Sequence, residues 1–105
     1  MTSAAHASLT GMLIVAGHLV VATAERTAFI TESARAVALA REAPGCLDYA
    51  VTADTLDPQR VNVFERWESE ATLLAFRGAG PSGEMAARIL DADVRRYVIA
   101  SVEAA

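Results

Sequence analysis

Hydrophobic residues run almost unbroken from Met12 to Val21, interrupted by Gly17 and His18. Alternate positions place Met12, Ile14, Ala16, His18 and Val20 on one face and Leu13, Val15, Gly17, Leu19 and Val21 on the other. A strand that is apolar on both faces is one that needs covering on both. Thr23 follows as a helix cap, with Glu25 in the first turn where negative charge suits the helix dipole. Phe29, Ala36, Val37 and Ala40 then repeat at helical spacing, leaving Glu32, Arg35 and Arg41 for the wet side. Pro44-Gly45 stops this helix, since proline cannot continue one and glycine accepts the left-handed exit.

Two strand-like runs come next. Cys46 to Ala53 alternates Leu47, Tyr49 and Val51 against Cys46, Asp48, Ala50 and Thr52. A turn around Asp57-Pro58 leads to Arg60–Glu68, with Val61, Val63, Glu65 and Trp67 on one face and Asn62, Phe64, Arg66 and Glu68 on the other. Ser69 is a good N-cap for a second helix with Leu73, Leu74 and Phe76 inward, broken at Gly78-Ala79-Gly80-Pro81. Ser82 caps a short continuation through Met85, Ile89 and Leu90, and Val94 to Val102 forms the last strand. The order βαββαβ predicts an α+β, ferredoxin-like antiparallel sheet with helices on one face. Residues 1–11 read as a disordered tail and 12–105 as the single domain.

Composition sharpens this picture. The chain has 105 residues, 53% of them hydrophobic, and a mean hydropathy of +0.30. Two helices cover only one side of such a sheet, so its other side calls for a partner. Covering roughly 500 Å² of apolar sheet at ~25 cal/mol per Å² is worth on the order of 12 kcal/mol before entropy. A homodimer packed sheet to sheet is the expected assembly. The net charge is -4 and the isoelectric point is near 5.0, which argues against a nucleic-acid footprint, since that needs a basic face. The apolar run at Met12 is too short for a signal-peptide core or a membrane span, so the cytoplasm is the expected compartment. The single cysteine, Cys46, forms neither an internal disulfide nor a multi-cysteine metal site.

The order Met12-Leu13-Ile14-Val15, Ala43-Pro44-Gly45-Cys46-Leu47-Asp48-Tyr49 and Phe64-Glu65-Arg66-Trp67-Glu68-Ser69 resembles the antibiotic biosynthesis monooxygenase domain family. The resemblance runs from about Met12 to Val102. It implies a dimeric α+β barrel with a pocket between sheet and helices in each subunit. Some members oxidise polycyclic phenols to quinones with molecular oxygen and no metal or flavin; others degrade haem or process small metabolites. This chain departs from the quinone-forming members, which carry an Asn four positions before the strand Trp and a Tyr six after it; here those places hold Val63 and Leu73. The His found nine residues beyond the Trp in many members is Phe76. The Trp and His of the haem degraders correspond to Phe76 and Ala86, so no haem and no metal are expected.

The residues themselves suggest a site. Trp67 either fills the corner between sheet and helix or walls a flat aromatic substrate. Glu65, on the same face, is either a carboxylate paired to an arginine or a pocket base with raised proton affinity. His18 is either a satisfied imidazole at a core or interface position or the proton acceptor for a phenol. Tyr49, Leu73 and Phe76 complete the candidate lining. With His18 or Glu65 as base and Trp67 shaping the cavity, the chain has the equipment for cofactor-independent oxidation of a phenolic or polyketide-like aromatic. The alternative is a non-catalytic small-molecule-binding or dimerisation module on the same fold, which the Val63, Leu73 and Phe76 departures favour.

Overall fold

The computed structural model describes residues 11–78 and 83–105; most of the expected tail and the Ser82 cap lie outside the described residues. The first strand, β1 (Leu13–Val21), takes the alternation written in its sequence. Leu13, Val15 and Val21 are buried on the helix side, while Ile14, Ala16, His18 and Val20 form a half-buried stripe on the open side. A 3-10 turn (Thr23–Glu25) precedes α1 (Arg26–Glu42). The expected Thr23 cap is not made. Ala22 and Glu25 stand at the two helix starts, and neither has a side-chain cap bond.

On α1 the buried stripe is Phe29, Ser33 and Ala40 with Val37 half-buried, whereas Ala36 is exposed. Ser33 takes the inward position expected of Ala36 because positions 29, 33, 37 and 40 stay on one face. Its hydroxyl is satisfied by donating to the Ile30 carbonyl at 2.7 Å. The helix ends before Pro44, and Gly45, at φ +83°, turns the chain into β2 (Cys46–Ala53). Asp54 builds the following turn. Its Oδ2 accepts from the Leu56 and Asp57 amides and its Oδ1 from Asn62 Nδ2, and these bonds draw its carboxyl down to about 2. Arg26 Nη1 clamps the same turn to α1 through the carbonyls of Asp54, Asp57 and Arg60.

β3 (Arg60–Trp67) is followed by Ser69, whose Oγ accepts from the Thr72 amide and starts α2 (Glu70–Arg77) as expected. Leu73 is buried and Phe76 half-buried, but Leu74 is half exposed, lying about a quarter turn off the inward face. After α3 (Gly83–Ala87) the last strand, β4, runs over Ile89–Val98. That corrects the expected Val94–Val102 strand and the helical placement of Ile89 and Leu90. Ile89 already pairs with Val21, past a register shift at Val20/Val21.

The sheet order is β2-β3-β1-β4, with β1 antiparallel to both β3 and β4 and β2 antiparallel to β3. This is the ferredoxin-like arrangement, its helices on one face. Two buried clusters fill the layer between. One joins Leu13, Val15, Trp67 and Leu73; the other joins Val21, Phe29 and Val61. The opposite face carries no element of the described chain, and Phe64 and Tyr97 stand on it partly exposed. Among the described residues no helix is long and apolar enough to cross a membrane.

Candidate functional site

Beside the first cluster stands Glu65, the one buried carboxylate among the described residues. Glu65 and Trp67 lie two residues apart on β3, so both point to the helix side. Trp67 is fully buried, and its Nε1–H donates to Glu65 Oε1 at 3.0 Å. The Phe76 ring packs on Trp67 with centroids 5.5 Å apart, and Tyr49 meets Phe76 edge-on at 5.8 Å. Tyr49 stands opposite Glu65 in the β2–β3 register, and Leu73 closes the floor. Arg77, at the end of α2, brings Nη2 to 4.0 Å from the same Glu65 oxygen.

This environment controls ionisation. Burial raises the proton affinity of Glu65 above the ordinary carboxylate range, opposed by the Trp67 hydrogen bond and the Arg77 charge. Burial also pushes Tyr49 up to about 12, with the Glu65 charge adding to the effect, so its hydroxyl stays a donor at neutral pH. The Cys46 thiol is raised for the same first reason and donates weakly to the Asp48 carbonyl, which marks it as inert. Among the described residues no cluster of His, Cys, Asp and Glu could hold a metal ion.

Five of the six residues expected at the site are therefore brought together: Glu65, Trp67, Tyr49, Leu73 and Phe76. His18 is not. It occupies the open face of β1, opposite Asn62 and Asp93, with the sheet between it and Glu65. There Asp93 is held ionised first by its hydrogen bond from Arg95 Nε and only weakly by His18. The sequence reading did not include Arg77. Its spacing from Leu73 and Phe76, four and one residues on, was the available signal, since i and i+4 share a helix face.

An apolar cleft of about 430 Å³ opens beside the cluster, lined by Ala43, Pro44, Ala71, Thr72, Ala75 and Phe76. Phe76 is thus a shared wall, with the cleft on one side and the ring of Trp67 on the other. A second cleft of about 360 Å³ lies between α1 and β2, away from Glu65.

Comparison with solved structures finds close likeness in fold. A conserved protein from Methanosarcina mazei aligns over 89% of this chain and 96% of its own, at 17% identity and a TM-score of 0.71. A Shewanella oneidensis protein aligns over 84% and 90%, at 16% identity and a TM-score of 0.73. A Caulobacter crescentus protein provisionally named as an antibiotic biosynthesis monooxygenase aligns over 90% and 93%, at 23% identity and a TM-score of 0.69. A comparison with curated proteins finds no match. The family model for antibiotic biosynthesis monooxygenases matches residues 12–88, which span β1 through α3 and hold every residue of the Glu65 cluster; this chain belongs to that family.

Proposed function

We propose that this protein is a cofactor-independent monooxygenase that oxidises an electron-rich phenolic aromatic with dioxygen at the Glu65–Trp67 cluster. The observation that carries the reading is a buried carboxylate of raised proton affinity set in an aromatic wall. A general base works best when its proton affinity lies near the operating pH, and burial moves Glu65 in that direction. Glu65 takes the proton of the substrate hydroxyl. The resulting anion gives one electron to dioxygen, and the two radicals combine to form a C–O bond. The peroxide anion takes the proton back from Glu65, and the resulting hydroperoxide loses water and leaves a carbonyl, so one oxygen atom enters the product and the other leaves in water. Holding the radicals together in an apolar, water-poor slot is the remaining task, and Trp67 and Phe76 suit it.

Oxygen uptake with a panel of anthrones and hydroquinones tests this. Glu65→Gln is expected to lose about 10²–10⁴ in rate, the usual worth of a positioned proton acceptor. If His18→Ala rather than Glu65→Gln abolishes uptake, the base lies on the open face and Glu65 is structural. A second reading, a module that binds small molecules without turnover, is favoured by the packing. Trp67 and Leu73 are fully buried, and the cleft beside them is bounded by Phe76 instead of Trp67. Saturable aromatic binding with no uptake above the uncatalysed rate would decide for it.

The same reading includes a homodimer through the open sheet face, where Ile14, Ala16, Val20, Phe64 and Tyr97 lack a cover within the described chain. Size-exclusion chromatography with light scattering is expected to give twice the 11.1 kDa chain mass. Phe64→Glu, which puts a charge in the middle of that face, should shift the protein toward monomer while far-ultraviolet circular dichroism is retained. A wild type that stays monomeric at micromolar concentration would refute the dimer.

A further inference from the structure

Most arginines of this chain are engaged. Arg26, Arg41, Arg60, Arg88, Arg95 and Arg96 each reach a carbonyl, amide oxygen or carboxylate at hydrogen-bonding distance. Arg77 differs. None of the described residues accepts a hydrogen bond from it, and its one partner is the buried Glu65 carboxylate at 4.0 Å, beyond hydrogen-bonding range. Its side chain is 45% exposed, while that of Glu65 is 11% exposed. A guanidinium at a helix end, close enough to feel a buried anion but not bonded to it, keeps its donors available.

We propose that Arg77 is the counter-ion for the substrate's oxyanion, pairing with Glu65 in the resting protein and with the ionised hydroxyl oxygen of an aromatic once Glu65 has taken its proton. The inference rests on Glu65 as the base and adds the residue that holds the anionic oxygen of the substrate. The charge count explains why Arg77 is needed. Before transfer the site holds a carboxylate, a guanidinium and a neutral hydroxyl; afterwards it holds a neutral acid, a guanidinium and an oxyanion. Arg77 has one counter-ion throughout, so no unpaired charge is created in the apolar cluster.

The groups facing Glu65 leave few alternatives. Trp67 on β3 donates to Oε1, and Val15 on β1 is apolar. Tyr49 and Cys46 on β2 are both pushed by burial toward their neutral forms. Arg77 on α2 is the one cation among the described residues that acts on this carboxylate. Arg41, whose charge reaches Cys46, is tied to the Tyr49 carbonyl at 2.9 Å. Arginine also suits the task chemically, because its fork bonds an oxyanion in plane and keeps its charge at any working pH.

The test uses para-nitrophenol, whose ionised and neutral forms differ in absorbance, and para-nitroanisole, its methyl ether that cannot ionise. Binding is followed by quenching of Trp67, the only tryptophan in the chain. Arg77→Gln is expected to weaken binding of the phenolate by about tenfold or more, the worth of one charge-assisted bond, and to change ether binding less than about twofold. Arg77→Lys should recover part of the phenolate affinity. Glu65→Gln, which removes the competing anion, should tighten it. Equal losses for phenolate and ether in Arg77→Gln would overturn the proposal and make Arg77 a packing residue. Ether binding in the wild type with no Arg77 dependence for the phenolate would overturn it while leaving the aromatic site intact. If neither probe quenches Trp67 in any of the proteins, the aromatic site falls and the proposal falls with it.

Discussion

Gly17→Ala is expected to lower the thermal unfolding midpoint by about 15–30 °C, more than the other single methyl additions to this sheet. The backbone at Gly17 has φ +152°, and an added Cβ would lie 1.9 Å from the Asp93 carbonyl oxygen and 2.8 Å from the Val94 Cα. Those are backbone atoms of the neighbouring strand, so no rotamer change relieves the clash. β1 lies between β3 and β4, and moving β4 away breaks a ladder that runs the length of the strand. Strain at such a backbone position costs roughly 1–3 kcal/mol and overpacking roughly as much again. For a domain of this size each 1 kcal/mol moves the midpoint by about 4–8 °C. A circular-dichroism melt within about 5 °C of wild type would show that β4 gives way freely, and that its pairing to β1 contributes little.

The parts of the fold legible in the sequence are those where local chemistry and tertiary packing agree. Cys46–Ala53 and Arg60–Trp67 alternate cleanly on either side of an Asp-Pro turn, and Pro44-Gly45 and Ser69 mark helix ends by mechanisms that act within a few residues. The start of β4 is hidden in the sequence because Asp91 and Asp93 interrupt its apolar run. Edge strands tolerate such charges when they face water, and β4 is exposed along nearly its whole length. Thr23 carried a cap signal, but the chain enters α1 through a 3-10 turn that leaves its hydroxyl outside the capping position.

For the site, strand parity was decisive. It joins Glu65 with Trp67 and puts His18 on the other face of the sheet, a separation that alternation and register express together but neither expresses alone. Phe76 and Leu73 were reachable from helical spacing. Arg77 was not singled out because its role depends on a through-space approach to β3, and a basic residue in a last helical turn is ordinarily explained by the helix dipole.

Trp67→Phe is expected to destabilise the protein by an amount that grows with pH, about 1.5–3 kcal/mol where Glu65 is ionised and less where it is protonated. The indole Nε1–H is the hydrogen bond that favours the charged form of Glu65, and phenylalanine removes it with a modest loss of volume. Burial already holds the folded-state proton affinity of Glu65 above the 4.5 of an ordinary glutamate. Between those two values the folded protein keeps a proton that the unfolded chain has released. Stability therefore falls as pH rises from the unfolded value through the folded one, and is unaffected by this group below both. Losing the indole bond moves the folded value further up, so the decline extends over a wider range and the penalty is largest above it. Glu65→Gln abolishes the titration and is expected to flatten the same part of the stability–pH curve. Urea unfolding from pH 4 to pH 8 on wild type and both variants separates the effects. A Trp67→Phe penalty that is constant across pH would mean that the ring is felt only through its volume. Glu65 would then owe its charge state to Arg77, and the indole would have no part in setting the proton affinity of the base.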